Sequence, residues 1–176
     1  FCNIYSSFFQ RGYDQVIHDV ALQKLPVIFC IDRAGLVGED GATHHGAFDM
    51  AAYRSIPNAV IAAPSDENQL KDLMYHGLEI NGGPYIIRYP RGNGEGTDWR
   101  YHDPETMVPG KGRRLREGKG IAILAVGPCA HRAAEAADRL KAETGVETAV
   151  YDMIFVKPID TAILEEVAAD CSTVLT

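Results

Sequence analysis

Hydrophobic and polar positions along this chain follow two different periods, and the points where one gives way to the other predict its elements. Between Phe8 and Leu22, the apolar residues Phe9, Tyr13, Val16, Ile17, Val20 and Ala21 recur at three- and four-residue spacing, as in an amphipathic helix. The run PVIFCID that follows is short and continuously apolar, which predicts a strand covered on both faces. After a glycine-rich loop come a short helical segment from Phe48 to Arg54 and a second buried strand, NAVIAAP. SDENQLKDLMYHGLEI reads as a helix with Ser65 as a capping residue and its acidic DEN group as a solvated face near the positive end of the helix dipole. GPYIIRYPRGNG supplies a third strand, Tyr85 to Tyr89, closed by Pro90. This order predicts an α/β fold with a parallel sheet and helices on both faces.

From Gly92 to about Arg113 the chain is rich in Gly, Pro and charge, the composition of a linker or boundary. A second unit follows: KGIAILAVG as a strand, HRAAEAADRLKAET as a helix, VETAVYDM as a strand, DTAILEEVAAD as a helix and STVLT as the start of another strand. The expected division is a first domain over 1–97, a linker over 98–113 and a second α/β domain over 114–176. The chain starts at Phe1 without methionine and stops within a strand-like run, which predicts an internal piece of a longer protein.

With 176 residues and 46% hydrophobic content the chain is able to bury a sizeable core. Its net charge of −7 gives no reason to expect nucleic acid or an anionic membrane as a partner, and no apolar run is long enough to span a bilayer. A soluble chain is expected. The four cysteines, Cys2, Cys30, Cys129 and Cys171, are widely spaced, which predicts reduced, buried thiols and neither a zinc site nor a disulfide framework.

Ligands of open parallel sheets collect at the carboxyl ends of the strands. The two loops richest in chemistry, DRAGLVGEDGATHHG and PRGNGEG, each follow a strand, and parallel strands would bring both to one edge of the sheet. Arg33 and Arg91 stand at the start of these loops. Arginine forks bind phosphate or carboxylate oxygens bidentately, so the pair suggests a phosphate clamp, with ordinary structural arginines as the alternative. His44 and His45 follow Asp40 without metal-ligand spacing, so no metal ligand is assigned. His44 is read either as a proton carrier oriented by a carboxylate or as a residue that orders its loop. Tyr5, Phe8 and Arg11, three residues apart, would lie along one face of a helix at the same edge. His18, His76, His102 and His131 read as structural or solvated. Taken alone, the residues describe an α/β domain whose cationic, histidine-bearing edge suits a small phosphorylated anion.

The runs YSSFFQRGYDQVIHDVALQKLPVIFCIDRAGLVGEDGATHHGAFD, IPNAVIAAPSDENQL and IRYPRGN closely resemble the 1-deoxy-D-xylulose-5-phosphate synthase family of transketolase-like thiamine-diphosphate enzymes. The resemblance continues through VYDMIFVKPID, similar to the start of that group's C-terminal domain. It implies part of a pyrimidine-binding domain with the thiamine-diphosphate-binding fold, followed by part of a transketolase C-terminal-type domain. The implied reaction is the decarboxylative condensation of pyruvate with D-glyceraldehyde 3-phosphate to 1-deoxy-D-xylulose 5-phosphate and carbon dioxide. That is the first step of non-mevalonate isoprenoid synthesis, and it also feeds thiamine and pyridoxal synthesis.

By resemblance, Phe8 stacks on the aminopyrimidine of the cofactor, with Tyr5 and Arg11 near both cofactor and substrate phosphate. Arg33 and Arg91 would bind that phosphate, and Asp40 and His44 would face the reacting centre. The ligands of the diphosphate and its magnesium ion, and the glutamate that activates the pyrimidine, would lie upstream of these residues, so the piece alone is expected to be inactive. The resemblance further implies a homodimer; a bacterial cytoplasm and a plastid stroma both fit. The alternatives are another transketolase-like enzyme, such as a transketolase or a dehydrogenase-type β subunit, and a non-catalytic phosphate-binding domain.

Overall fold

A computed structural model describes residues 1–176. The chain opens with a strand, β1 (Cys2–Tyr5), ahead of the expected helix. The helical run itself is uneven: α1 (Ser6–Phe9), a 3-10 turn (Gln10–Gly12), α2 (Tyr13–Gln15) and a π-helical stretch (Val16–Ala21). The wide turn is visible where the amide of Leu22 donates to the Ile17 carbonyl, five residues back, at 2.9 Å. An α-helix would rotate Val16 and Ala21 well apart. Here both are buried in the same cluster, with Tyr13, Ile17 and Val20 packed against it.

After β2 (Ile28–Asp32) come α3 (Asp49–Arg54), β3 (Val60–Ala62), α4 (Glu67–Glu79) and β4 (Tyr85–Arg88). β1, β2, β4 and β3 lie side by side in that order, all parallel. Alternate residues of β2 serve two cores, which is why its sequence is continuously apolar. Phe29 and Ile31 pack with Phe9, Tyr53, Ile61 and Ile86 on one side. Ile28 and Cys30 pack with Leu73, Tyr85 and Ile87 on the other. α4 is capped by Asp66, whose carboxylate accepts the Gln69 amide at 2.9 Å, and not by Ser65. Ser65 is buried one residue earlier, and its hydroxyl accepts from Arg113 at 3.1 Å.

The second half contains β5 (Arg113–Arg116), β6 (Gly120–Ala125), α5 (Cys129–Thr144), β7 (Ala149–Asp152), β8 (Phe155–Lys157), α6 (Thr161–Asp170) and β9 (Cys171–Leu175). Its sheet runs β5-β7-β6-β9, with β6 parallel to both β7 and β9, and β5 antiparallel at one edge. β8 leaves this sheet and joins the first one, antiparallel to β3. Its Phe155 is fully buried among Tyr85, Ile87 and Leu73, so burial of an aromatic ring carries the strand across. Asp152, also fully buried, accepts from Gln69 of α4 at 3.0 Å and from Arg113 of β5 at 3.2 Å, which ties the halves together. The mixed α/β architecture with largely parallel sheets agrees with the sequence reading. The thiols differ from it: Cys30 is buried, Cys2 and Cys171 are half-buried, and Cys129 is exposed.

Candidate functional site

β1, β2 and β4 run in the same direction, so the residues that follow them emerge at one sheet edge, where the sequence placed its two loops. The first loop begins at Arg33, whose backbone takes a left-handed conformation (φ +58°) uncommon for a residue with a side chain. Asp32 holds it there: one carboxylate oxygen accepts the Arg33 amide and the other accepts Arg33 Nη1, both at 2.6 Å. The loop is closed at its base by a pair of backbone hydrogen bonds between Gly35 and Gly46, at 2.8 and 2.9 Å. Gly46 has to be glycine, because a Cβ there would lie 2.5 Å from both the Arg33 carbonyl oxygen and Ser6 Cβ.

The adjacent histidines divide their tasks. His45 turns inward, and its Nδ1 accepts the Val37 amide at 3.2 Å, ordering the loop. His44 turns toward the aromatic pair: its ring is 5.2 Å from Phe8, edge to face, and 6.3 Å from Tyr5. Its Nδ1 is 2.9 Å from the Thr43 hydroxyl, and the ring makes no other hydrogen bond.

Tyr5 is the last residue of β1 and not a helical residue, yet it stacks on Phe8 at 5.4 Å because α1 starts immediately after it. The Arg33 guanidinium lies 3.8 Å from the centroid of the Tyr5 ring, a cation–π contact. Arg33 Nε also donates to Asp40 Oδ2 at 3.0 Å, and Arg91 Nε reaches the same oxygen at 3.1 Å. Desolvation would lower the Arg33 pKa, but the Asp40 hydrogen bond and the charges of Asp32 and Asp40 outweigh it and keep the guanidinium firmly charged.

Tyr5, Phe8, Arg33, Asp40, His44 and Arg91 therefore form one connected cluster. Arg11 does not join it: it sits exposed in the 3-10 turn, and its side chain makes no hydrogen bond or ion pair. The spacing of three that suggested a shared face holds from Tyr5 to Phe8 and breaks where α1 passes into the 3-10 turn.

Sequence reasoning missed two supports. Asp32 reads in the sequence only as the end of a strand. Asp49 and Arg88 form an ion pair at 2.8 Å, with side chains 3% and 14% exposed, that pins the far end of the loop to β4. A signal for the second was present: an arginine inside the apolar run YIIRY needs a buried partner.

The site fits a planar heteroaromatic group. Phe8 is 43% exposed in the first turn of α1, backed by Tyr5 and edged by His44. Beside it, the buried hydroxyls of Ser6 and Ser7 have no hydrogen-bond partner. No three His, Cys, Asp or Glu side chains converge where they could hold a metal ion.

Known proteins give the arrangement a family. Residues 1–96 match the transketolase pyrimidine-binding domain, and residues 110–176 match the transketolase C-terminal domain. The chain is 53% identical over its full length to the 1-deoxy-D-xylulose-5-phosphate synthase of Parabacteroides distasonis, and 55% identical over 95% of its length to that of Bacteroides fragilis. It spans 28% and 26% of those two proteins. Among solved structures, a split-gene transketolase described as an inactive β4 tetramer superposes with a TM-score of 0.83 at 32% identity, covering 98% of this chain and 54% of that one. A Pichia stipitis transketolase shares the fold, with a TM-score of 0.72 at 23% identity over 87% of this chain and 22% of the other. The chain belongs to the transketolase family of thiamine-diphosphate enzymes, of which it carries the pyrimidine-binding and C-terminal domains.

Proposed function

We propose that the protein to which these residues belong condenses pyruvate with D-glyceraldehyde 3-phosphate, releasing carbon dioxide and forming 1-deoxy-D-xylulose 5-phosphate. The observation that carries this reading is the convergence of Arg33 and Arg91 on one oxygen atom beside the exposed Phe8 ring. Two guanidinium groups that share a carboxylate oxygen are placed to share a phosphate. The choice of synthase over transketolase follows the identities, above 50% to synthases against 32% to the split-gene transketolase.

On this reading Phe8 and Tyr5 hold the aminopyrimidine of thiamine diphosphate, which supplies the carbanion chemistry when bound. Arg33 and Arg91 bind the acceptor's phosphate. Asp40 keeps the two guanidinium groups together, and the Tyr5 ring supports Arg33 from beneath. His44, oriented through Nδ1 by Thr43, holds or moves a proton at its other nitrogen, close to Phe8. Arg11, outside the cluster, is kept as a secondary contact to cofactor and phosphate. The magnesium ion and the diphosphate fall to residues elsewhere in the full-length protein, which we propose is a homodimer in a bacterial cytoplasm. On this reading the 176 residues alone are expected not to turn over. The name of the split-gene transketolase, an assembled but inactive β form, is in keeping with that.

The test is an NMR assay with carbon-13 pyruvate, glyceraldehyde 3-phosphate, thiamine diphosphate and magnesium, run on the full-length protein and on this chain. Labelled deoxyxylulose phosphate from the full-length protein alone is the expected result. No consumption of pyruvate by either would refute the reading.

A further inference from the structure

The segment after β4 does not hang between the halves as a free spacer. Three polar side chains of α4 grip it in turn. The Glu67 carboxylate accepts the Gly96 amide at 3.0 Å and the Thr97 hydroxyl at 3.1 Å. One turn on, the Lys71 ammonium donates to the carbonyls of Trp99 at 3.2 Å and His102 at 2.6 Å. The buried Asp72 accepts from the His102 ring at 2.7 Å and the Glu105 amide at 3.0 Å. Contact is closest at the first of these, where a Cβ on Gly94 would run into the Glu67 carboxyl group.

Arg91 lies between this grip and the end of the sheet. On its upstream side, Tyr89 is fixed by backbone hydrogen bonds, its amide to Ile31 and its carbonyl from Ala34, each at 3.0 Å. On its downstream side the first fixed point is Glu67. Pro90 to Glu95 is therefore a short bridge with both ends held, and the position of the Arg91 guanidinium depends on both. Burial would push the Glu67 carboxyl up, but hydrogen bonds from the Gly96 and Thr97 groups outweigh it and hold it below the usual carboxylate range, so this anchor is ionised at neutral pH.

We propose that Glu67 is a positioning residue for Arg91: by seating Gly94 to Thr97 on α4, it sets where the Arg91 fork meets the phosphate of the acceptor. The proposal rests on reading Arg91 as a phosphate ligand and extends that reading to a residue that touches neither substrate nor cofactor. It also revises the sequence reading of the DEN group as a mere solvated face.

The test uses the full-length protein with Glu67→Ala, Glu67→Gln and Gly94→Ala. It measures kcat, KM for each substrate, the Kd for inorganic phosphate by calorimetry, and the melting temperature. Glu67→Ala should raise both the KM for glyceraldehyde 3-phosphate and the phosphate Kd about tenfold, with the KM for pyruvate within about twofold of wild type. Glu67→Gln keeps one acceptor for the Gly96 amide and should recover most of the loss. Gly94→Ala, which displaces the Glu67 carboxyl from the loop side, should repeat the Glu67→Ala pattern, and it decides the matter if Glu67→Ala does not fold. Unchanged acceptor KM and phosphate Kd, or equal losses for both substrates, would overturn the proposal, as would a wild-type protein with no affinity for phosphate. A wild type that binds phosphate but makes no product, with phosphate binding weakened in Glu67→Ala, would remove the synthase reading and leave the positioning role in place.

Discussion

Asp49 and Arg88, 39 residues apart in sequence, meet at 2.8 Å in a nearly water-free contact between the start of α3 and the end of β4. Removing one partner leaves the other charge buried without compensation. Asp49→Ala is therefore expected to destabilise the protein by about 3–5 kcal/mol, against about 0–1 kcal/mol for an exposed pair. Chemical denaturation monitors this, and a loss below about 1 kcal/mol would show that the pair is not holding the loop.

Arg91→Ala should act on acceptor binding. Arg91 is 45% exposed and its partner Asp40 is also held by Arg33, so its removal should leave folding intact. Each charge-assisted hydrogen bond lost is worth about 1.5–3 kcal/mol, which corresponds to a rise of about tenfold or more in the KM for glyceraldehyde 3-phosphate. Steady-state kinetics at saturating pyruvate measure it, and unchanged acceptor kinetics would remove Arg91 from the clamp.

Gly46→Ala should disrupt the loop from its base. The added methyl group would meet the Arg33 carbonyl and the Ser6 side chain, at a cost of about 1–3 kcal/mol for overpacking. Because the Gly35–Gly46 closure would open, limited proteolysis between Leu36 and Ala42 should accelerate in the variant. Cleavage at the wild-type rate would show that the closure is dispensable.

Acid should weaken the protein through His76. Burial lowers the pKa of its ring, which lies 3.2 Å from the Tyr85 hydroxyl. In the unfolded chain a histidine takes up its proton near pH 6.5, so in the interval below that value the unfolded state holds more protons. Stability should therefore fall as the pH drops through that interval and be unaffected well above it. Unfolding free energies at pH 7.5 and 5.5 should show a smaller loss in His76→Gln than in wild type, and equal losses would exclude His76 as the cause.

Much of the fold was legible because periodicity reports burial. The run PVIFCID had to be covered on both faces, and Ile28 and Cys30 do serve one core while Phe29 and Ile31 serve the other. The elements that escaped, β1, β5 and β8, carry little of that signal. β5 is the sequence RRLR, an edge strand whose polar side chains conceal its pairing with β7. At the site, the meeting of Arg33 and Arg91 could be expected from two loops at one edge. Their common partner could not, since nothing in the local sequence says which of several acids lies between them. Arg11 shows the opposite case: its spacing assumed one regular helix, and the passage from β1 through α1 into a 3-10 turn leaves it exposed and outside the cluster.

The antiparallel placement of β8 against β3 limits where this molecule can be divided. A chain cut within the 98–113 segment to isolate the first half would strip away the neighbour of Ile61 and Ala62 and leave β3 with a bare row of amides and carbonyls. It would also uncover the pocket that Phe155 fills. Such an excised half would offer a template for foreign strands and tend to self-associate, so a unit that keeps β3 covered extends at least through Lys157.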